Sequence, residues 1–285
     1  MAVLLALVSA VSYGLSDFLG GLLSRRASAW QVAVAAQVSS TVCVAVLALL
    51  VVGGHPRPAD FAWAALAGVG SGAGAAFLYR GFSRGRMGVV APVSAVGAAV
   101  VPVVVGAATG ERPSLLVWLG IAVALPAIWL VSSEPTDPLA DGGAPRRGSV
   151  ADGLTDGVLA GLGFGMLFAA LGQVPDGAGW WPLTVAQATG IPTVVLLALA
   201  LRQDWLPRSP AARWALLMGP LSAAATGFFL LATQQGYLTV SGVLASLYPA
   251  STVLLAALVL HEKVHRAQGV GLGLCALAIA FVAGG

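Results

Sequence analysis

The chain has 285 residues, of which 58% are hydrophobic and only 9% charged, with a formal net charge of +3 and a mean hydropathy of +0.92. Soluble domains carry about 25% charged residues, so this composition cannot supply a water-facing shell, and most of the chain must be solvated by lipid. The small net charge, with no basic run interleaved with aromatics, excludes a nucleic-acid binder. The two cysteines, Cys43 and Cys275, lie in apolar runs and read as small buried hydrophobes, not as a disulfide or metal pair.

Charges and Gly/Pro clusters divide the chain into ten predicted spans, at about 2–23, 29–52, 60–80, 88–109, 114–132, 153–173, 180–201, 211–233, 239–260 and 266–284. Each is near the roughly 20 residues that cross hydrocarbon as a helix. None shows the alternation of a barrel strand. The first run has no basic residues ahead of it and no A-x-A-type cleavage site after it, which predicts a retained span.

Span one carries Asp17 within YGLSDFLGG. A carboxylate at the centre of a span costs roughly 2.5–3.5 kcal/mol. Ala10, Gly14, Asp17 and Gly21 fall on one stripe of small residues, so Asp17 is predicted to face the bundle and not lipid. Two readings stay open: a structural ion pair or hydrogen bond, or a pathway group that meets a cationic substrate or takes up a proton. Arg80, at the end of span three, is the candidate partner, or else an interfacial anchor. GVGSGAG (68–74) has spaced glycines, but they lie inside a span and not between a strand and a helix, so close helix packing is the expectation.

Span four holds Pro92, Ser94, Gly97 and Pro102, and span nine reads ASLYPAST around Tyr248 and Pro249. Proline inside a span frees a carbonyl and permits a kink. Interrupted segments at corresponding positions in two halves point to a transporter site. Ser94 and Tyr248 are therefore candidate cavity residues. Gln37 and Gln187 are intramembrane amides, expected as interhelical glue. HEKVH (261–265) matches the H-E-x-x-H zinc pattern. It falls at a turn between spans, where the required continuous helix is not expected, and a metalloprotease stays a remote alternative. No metal, cofactor or catalytic residue is expected.

The polar, Pro/Gly-rich stretch between spans five and six marks a joint, and an offset of 151 residues matches the two sides without a gap. It pairs Tyr13-Gly14 with Phe164-Gly165, Trp63 with Trp214, Ser71 with Ser222, Phe77 with Phe228 and Glu111 with Glu262. Asp17 is paired with Phe168, so the repeat itself does not need the acid. The expected organisation is a five-helix repeat over 1–133, a linker over 134–151 and a second repeat over 152–285. Five spans per half force the second half in upside down, as in many secondary transporters. The matched aromatics Tyr13, Phe164, Phe77 and Phe228 are candidate cavity walls, with core packing as the alternative.

Twelve Lys and Arg lie in loops after odd-numbered spans and two, Arg57 and Arg112, after even-numbered ones. We call the first side the basic face. Basic loops stay cytoplasmic, which taken alone places both termini outside.

The aromatic-Gly motifs, the Glu-basic ends TGERP and LHEKV, and the glycines at Gly120 and Gly271 resemble the drug/metabolite transporter superfamily, in particular its EamA-type ten-helix members, over the whole chain. The resemblance implies an all-α polytopic membrane protein, multi-pass in the plasma or inner membrane. It further implies alternating-access movement, often export, of a small molecule such as an amino acid or drug-like compound. It implies a cavity from spans one, three, four, six, eight and nine, and cytoplasmic termini, against the charge count. Proton coupling and a monomer or homodimer are compatible with it. A passive channel or a lipid-handling protein is the alternative.

Overall fold

A computed structural model describes residues 1–51, 53–84, 87–133, 150–259, 261 and 264–285. Among these, ten stretches are long and apolar enough to cross a membrane. They are α1 (Ala2–Ser24), α2 (Ala29–Leu50), α3 (Pro58–Ser83), α4 (Met87–Ala108), α5 (Leu115–Ser132), α6 (Val150–Leu171) and α7 (Trp181–Ala200). The eighth joins α8 (Pro210–Trp214), a 3-10 turn (Ala215–Leu217) and α9 (Met218–Gln234). The ninth joins α10 (Leu238–Ala245) and α11 (Tyr248–Val259), and the tenth is α12 (Arg266–Gly284). The predicted spans coincide with these within a few residues at their ends. The linker over 134–149 and the residues Glu262, Lys263 and Arg86 lie outside the described residues.

The two halves interlock. Helix α3 packs on α6 and α7, and its repeat mate α9 packs on α1 and α2. Helix α4 lies on α6, as α10 and α11 lie on α1, while α5 pairs with its own mate α12 and α2 with α7. Each of these pairings has its image under the 151-residue offset, as a pseudo-two-fold axis between inverted halves requires. The match reaches single atoms. A Cβ on Gly165 would lie 3.0 Å from the Gly97 carbonyl, and one on Gly14 would lie 2.7 Å from the Tyr248 carbonyl. Both pairs differ by the same offset.

The α3 glycines serve this packing as expected. Gly70 and Gly74 meet α6 at Gly163, Phe164 and Leu167, while Gly68 and Gly72 meet α7 at Ala186 and Gly190. Absent side chains let the backbones approach, which replaces the hydrophobic drive that lipid does not supply.

The halves differ at their prolines. Helix α4 runs through Pro92 and Pro102, whereas span nine breaks between Ala245 and Tyr248, just ahead of Pro249. The expectation of matched interruptions is corrected: of spans four and nine, only the ninth is broken. Pro249 has no N–H for the Ala245 carbonyl, and its image is Ala98, so nothing breaks α4 at that level.

Candidate functional site

Three helices build the site. On α1, Tyr13 and Asp17 stand one turn apart with Ser16 between them; on α3, Ser71, Ala75 and Tyr79 repeat every four residues; Tyr248 opens α11 at the break. Asp17 borders two cavities. One, of about 140 Å³, has Phe18, Leu78, Phe82, Tyr248 and Thr252 in its wall and reaches Arg25 and Gln268 at the basic face. The other, of about 40 Å³, lies at the seam among Tyr13, Ser16, Gln37, Tyr79, Phe164 and Gln187. At about 10–15 Å³ per water, the inner cavity holds a few waters at most.

Side-chain amides brace the inner cavity in a nearly symmetric way. Gln37 Nε2 donates to Ser71 Oγ at 3.1 Å, and Gln187 Nε2 donates to Thr226 Oγ1 at 2.9 Å. Ser16 and Ser222 hydroxyls share a hydrogen bond of 2.9 Å across the halves. Both glutamines therefore act as interhelical glue and border the cavity as well.

The polar groups around Asp17 are incompletely matched. No ion pair reaches its carboxylate among the described residues. The Tyr79 hydroxyl lies within interaction range of Asp17 and Ser16, and the Tyr13 and Tyr248 hydroxyls lie in the same electrostatic neighbourhood. Tyr13 Oη and Tyr248 Oη are buried without a hydrogen-bond partner among the described residues. Tyr248 faces Ser94, but the Ser94 hydroxyl is turned to the Ala91 carbonyl at 3.0 Å.

Toward the face opposite the basic one, the inner cavity is stopped by aromatics. Tyr13 meets Phe168 edge-on at 5.6 Å, and Phe168 lies on Phe229 at 4.5 Å. Beyond them, Glu111 ties the halves together. Helix α4 ends at Gly110, whose φ of 95° only glycine adopts freely. Glu111 N–H then closes back on the Gly106 carbonyl at 3.0 Å, a Schellman-type stop. The turn aims the Glu111 carboxylate at the start of α10, where it accepts from Leu238 N–H at 2.5 Å and Thr239 N–H at 2.9 Å. A carboxylate there satisfies orphan donors and the positive end of the helix dipole.

Of the predicted residues, the structure brings Tyr13, Asp17 and Tyr248 together and sets Phe164 in the inner wall, while Ser94, fully buried near Tyr248, lines neither cavity that Asp17 borders. Arg80 is not the partner of Asp17. It pairs with the buried carboxylate of Asp156 on α6, which Arg84 also approaches at 3.4 Å. Phe77 lies under the Arg80 guanidinium at 4.6 Å and, like Arg80, is outside both cavities that Asp17 borders. Phe228 is half-buried and also outside them; its neighbour Phe229 is the interior aromatic. Tyr79 was missed, although the Ser71-Ala75-Tyr79 spacing marks one inward stripe. Spans two and seven contribute to the inner cavity, beyond the six expected. His261 and His265 of HEKVH do not share a helix: α11 stops at Val259, His261 has φ 57° and His265 is the N-cap of α12, while Glu262 and Lys263 lie outside the described residues.

An inverted ten-helix bundle, with an acid-bearing cavity on its seam reaching one face and stopped toward the other, has the architecture of a secondary membrane transporter. A family model described as the EamA-like transporter family matches residues 1–133 and 153–284. The chain belongs to the EamA-like transporter family, part of the drug/metabolite transporter superfamily and a family of transporters, not enzymes. It is thus a multi-pass membrane protein with a small-molecule substrate. Several solved chains match; one of them, a crystal structure, does so with a TM-score of 0.73 and 14% identity over 99% of this chain and 98% of that one, a likeness of fold alone. No curated protein matches the chain.

Proposed function

We propose that the protein is a secondary carrier that exports a small amphipathic metabolite by alternating access through the seam between its halves. The observation that carries this reading is the carboxylate of Asp17, which borders both cavities and has no ion pair among the described residues. Such an arrangement is costly in a membrane unless cargo or a proton completes it. The repeats are residues 1–133 and 152–285, joined by 134–151, and rocking between them exposes the site to one face at a time. Both cavities lie within one chain, which supports a complete pathway in a monomer. The distribution of Lys and Arg supports a basic face turned to the cytoplasm of a cell that carries the protein in its plasma or inner membrane. The larger cavity then faces the cytoplasm, where an exporter loads.

A metabolite-wide counterflow screen in proteoliposomes, with and without a pH gradient, tests the proposal. A carrier shows saturation and stimulation by solute on the far side. Flux that rises linearly with concentration and ignores trans solute would replace the carrier with a pore.

A further inference from the structure

We propose that Asp17, Tyr13, Tyr79 and Tyr248 form a binding site for a primary organic ammonium whose apolar body lies in the adjoining cavity. This deepens the carrier reading and rests on it. Three groups there lack a full set of partners. The Asp17 carboxylate has no ion pair among the described residues. The Tyr13 and Tyr248 hydroxyls are buried and have no hydrogen-bond partner among the described residues, and the two residues are 9% and 7% exposed. Buried polar atoms are almost always satisfied, and a cluster that is not marks a place where something else completes it.

A primary ammonium supplies three N–H donors and one positive charge. One donor suits the carboxylate as a charge-assisted bond, and the others suit tyrosine oxygens. Tyr13 and Tyr248 rings stand 6.3 Å apart, and aromatic faces attract a desolvated cation. A bare metal ion fits poorly, because hard cations take about six to eight oxygens, mostly from carboxylates and carbonyls, and no metal-holding cluster occurs among the described residues.

The body of the ligand follows from the wall. Beside Asp17, the cavity of about 140 Å³ is faced by Phe18, Leu22, Leu78, Phe82 and Val253. An apolar protein cavity of about 150 Å³ takes up benzene, so an aryl or short branched alkyl group fits. Arg80, the cation expected beside Asp17, is held on Asp156 and does not neutralise it.

The test is equilibrium binding to the purified full chain in detergent. The probes are 2-phenylethylammonium, its neutral isostere 2-phenylethanol, and the N,N,N-trimethyl ammonium, which lacks N–H donors. The primary ammonium should bind at least about tenfold more tightly than either. Asp17→Asn should remove that preference, and Tyr248→Phe should weaken the ammonium alone by several-fold. An alcohol that binds as well as the ammonium, or an Asp17→Asn protein that keeps the preference, overturns the site. The wild-type comparison needs no variant, so misfolding of Asp17→Asn leaves the proposal falsifiable. Ammonium binding without saturable flux would sink the carrier and leave the site standing. Saturable flux of other solutes without ammonium binding would do the reverse.

Discussion

Asp17 on α1 and Asp156 on α6 are carboxylates on repeat-mate helices, yet their surroundings are opposite. Asp156 is 1% exposed and lies between Arg80 and Arg84. Asp17 borders open volume, with tyrosine hydroxyls nearby and no cation bonded to it among the described residues. The repeat explains neither acid, since their images are Phe168 and Leu5. The difference teaches how to tell a structural charge from a functional one. The protein completes the first with its own side chains; under the function proposed above, the second is completed by what it carries.

Breaking the Asp156 cluster should therefore injure the fold more than the pathway. The largest effect is expected for Arg80→Ala, which leaves the buried carboxylate, among the described residues, with the weaker 3.4 Å contact of half-exposed Arg84. We expect a loss of about 3–5 kcal/mol, read by denaturant unfolding in detergent. Asp156→Asn keeps an acceptor for Arg80 and should lose about 1–3 kcal/mol. Transport per folded molecule should stay near wild type. Glu111→Gln sharpens the contrast between the two faces. It keeps one acceptor for the start of α10 but removes the charge, and should cost about 1–2 kcal/mol, with faster hydrogen exchange at Leu238 and Thr239. Arg84→Ala should cost about 1 kcal/mol or less, because its contact is 3.4 Å long and the side chain is 41% exposed.

What could be read ahead of the structure followed from local chemistry. Span positions follow from apolar length, and the halves follow from sparse Trp, Glu and Gly matches that chance does not produce. Asp17 is legible because a carboxylate inside a span is expensive, and the small-residue stripe through Gly14 and Gly21 fixes its direction. The partner of Arg80 was not legible. Asp156 is 76 residues away on a helix that runs in from the other repeat, and no local spacing encodes that meeting. Phe77 and Phe228 match across the offset, but the match records ancestry and not which aromatic faces the cavity. The break in span nine comes from Pro249, and the prolines of span four sit at different heights, so proline content alone overstated the symmetry.

The central claim, carried from the proposal above, is that Asp17 has no countercharge among the described residues because cargo supplies it. The most direct measurement pairs thermal unfolding with counterflow on one preparation of Asp17→Asn. The account predicts an unfolding midpoint equal to or above wild type, because an amide relieves part of the roughly 2.5–3.5 kcal/mol cost of a membrane carboxylate. Counterflow should fall to about a tenth or less. A midpoint depressed as far as that of Asp156→Asn, with counterflow per folded molecule unchanged, would contradict it.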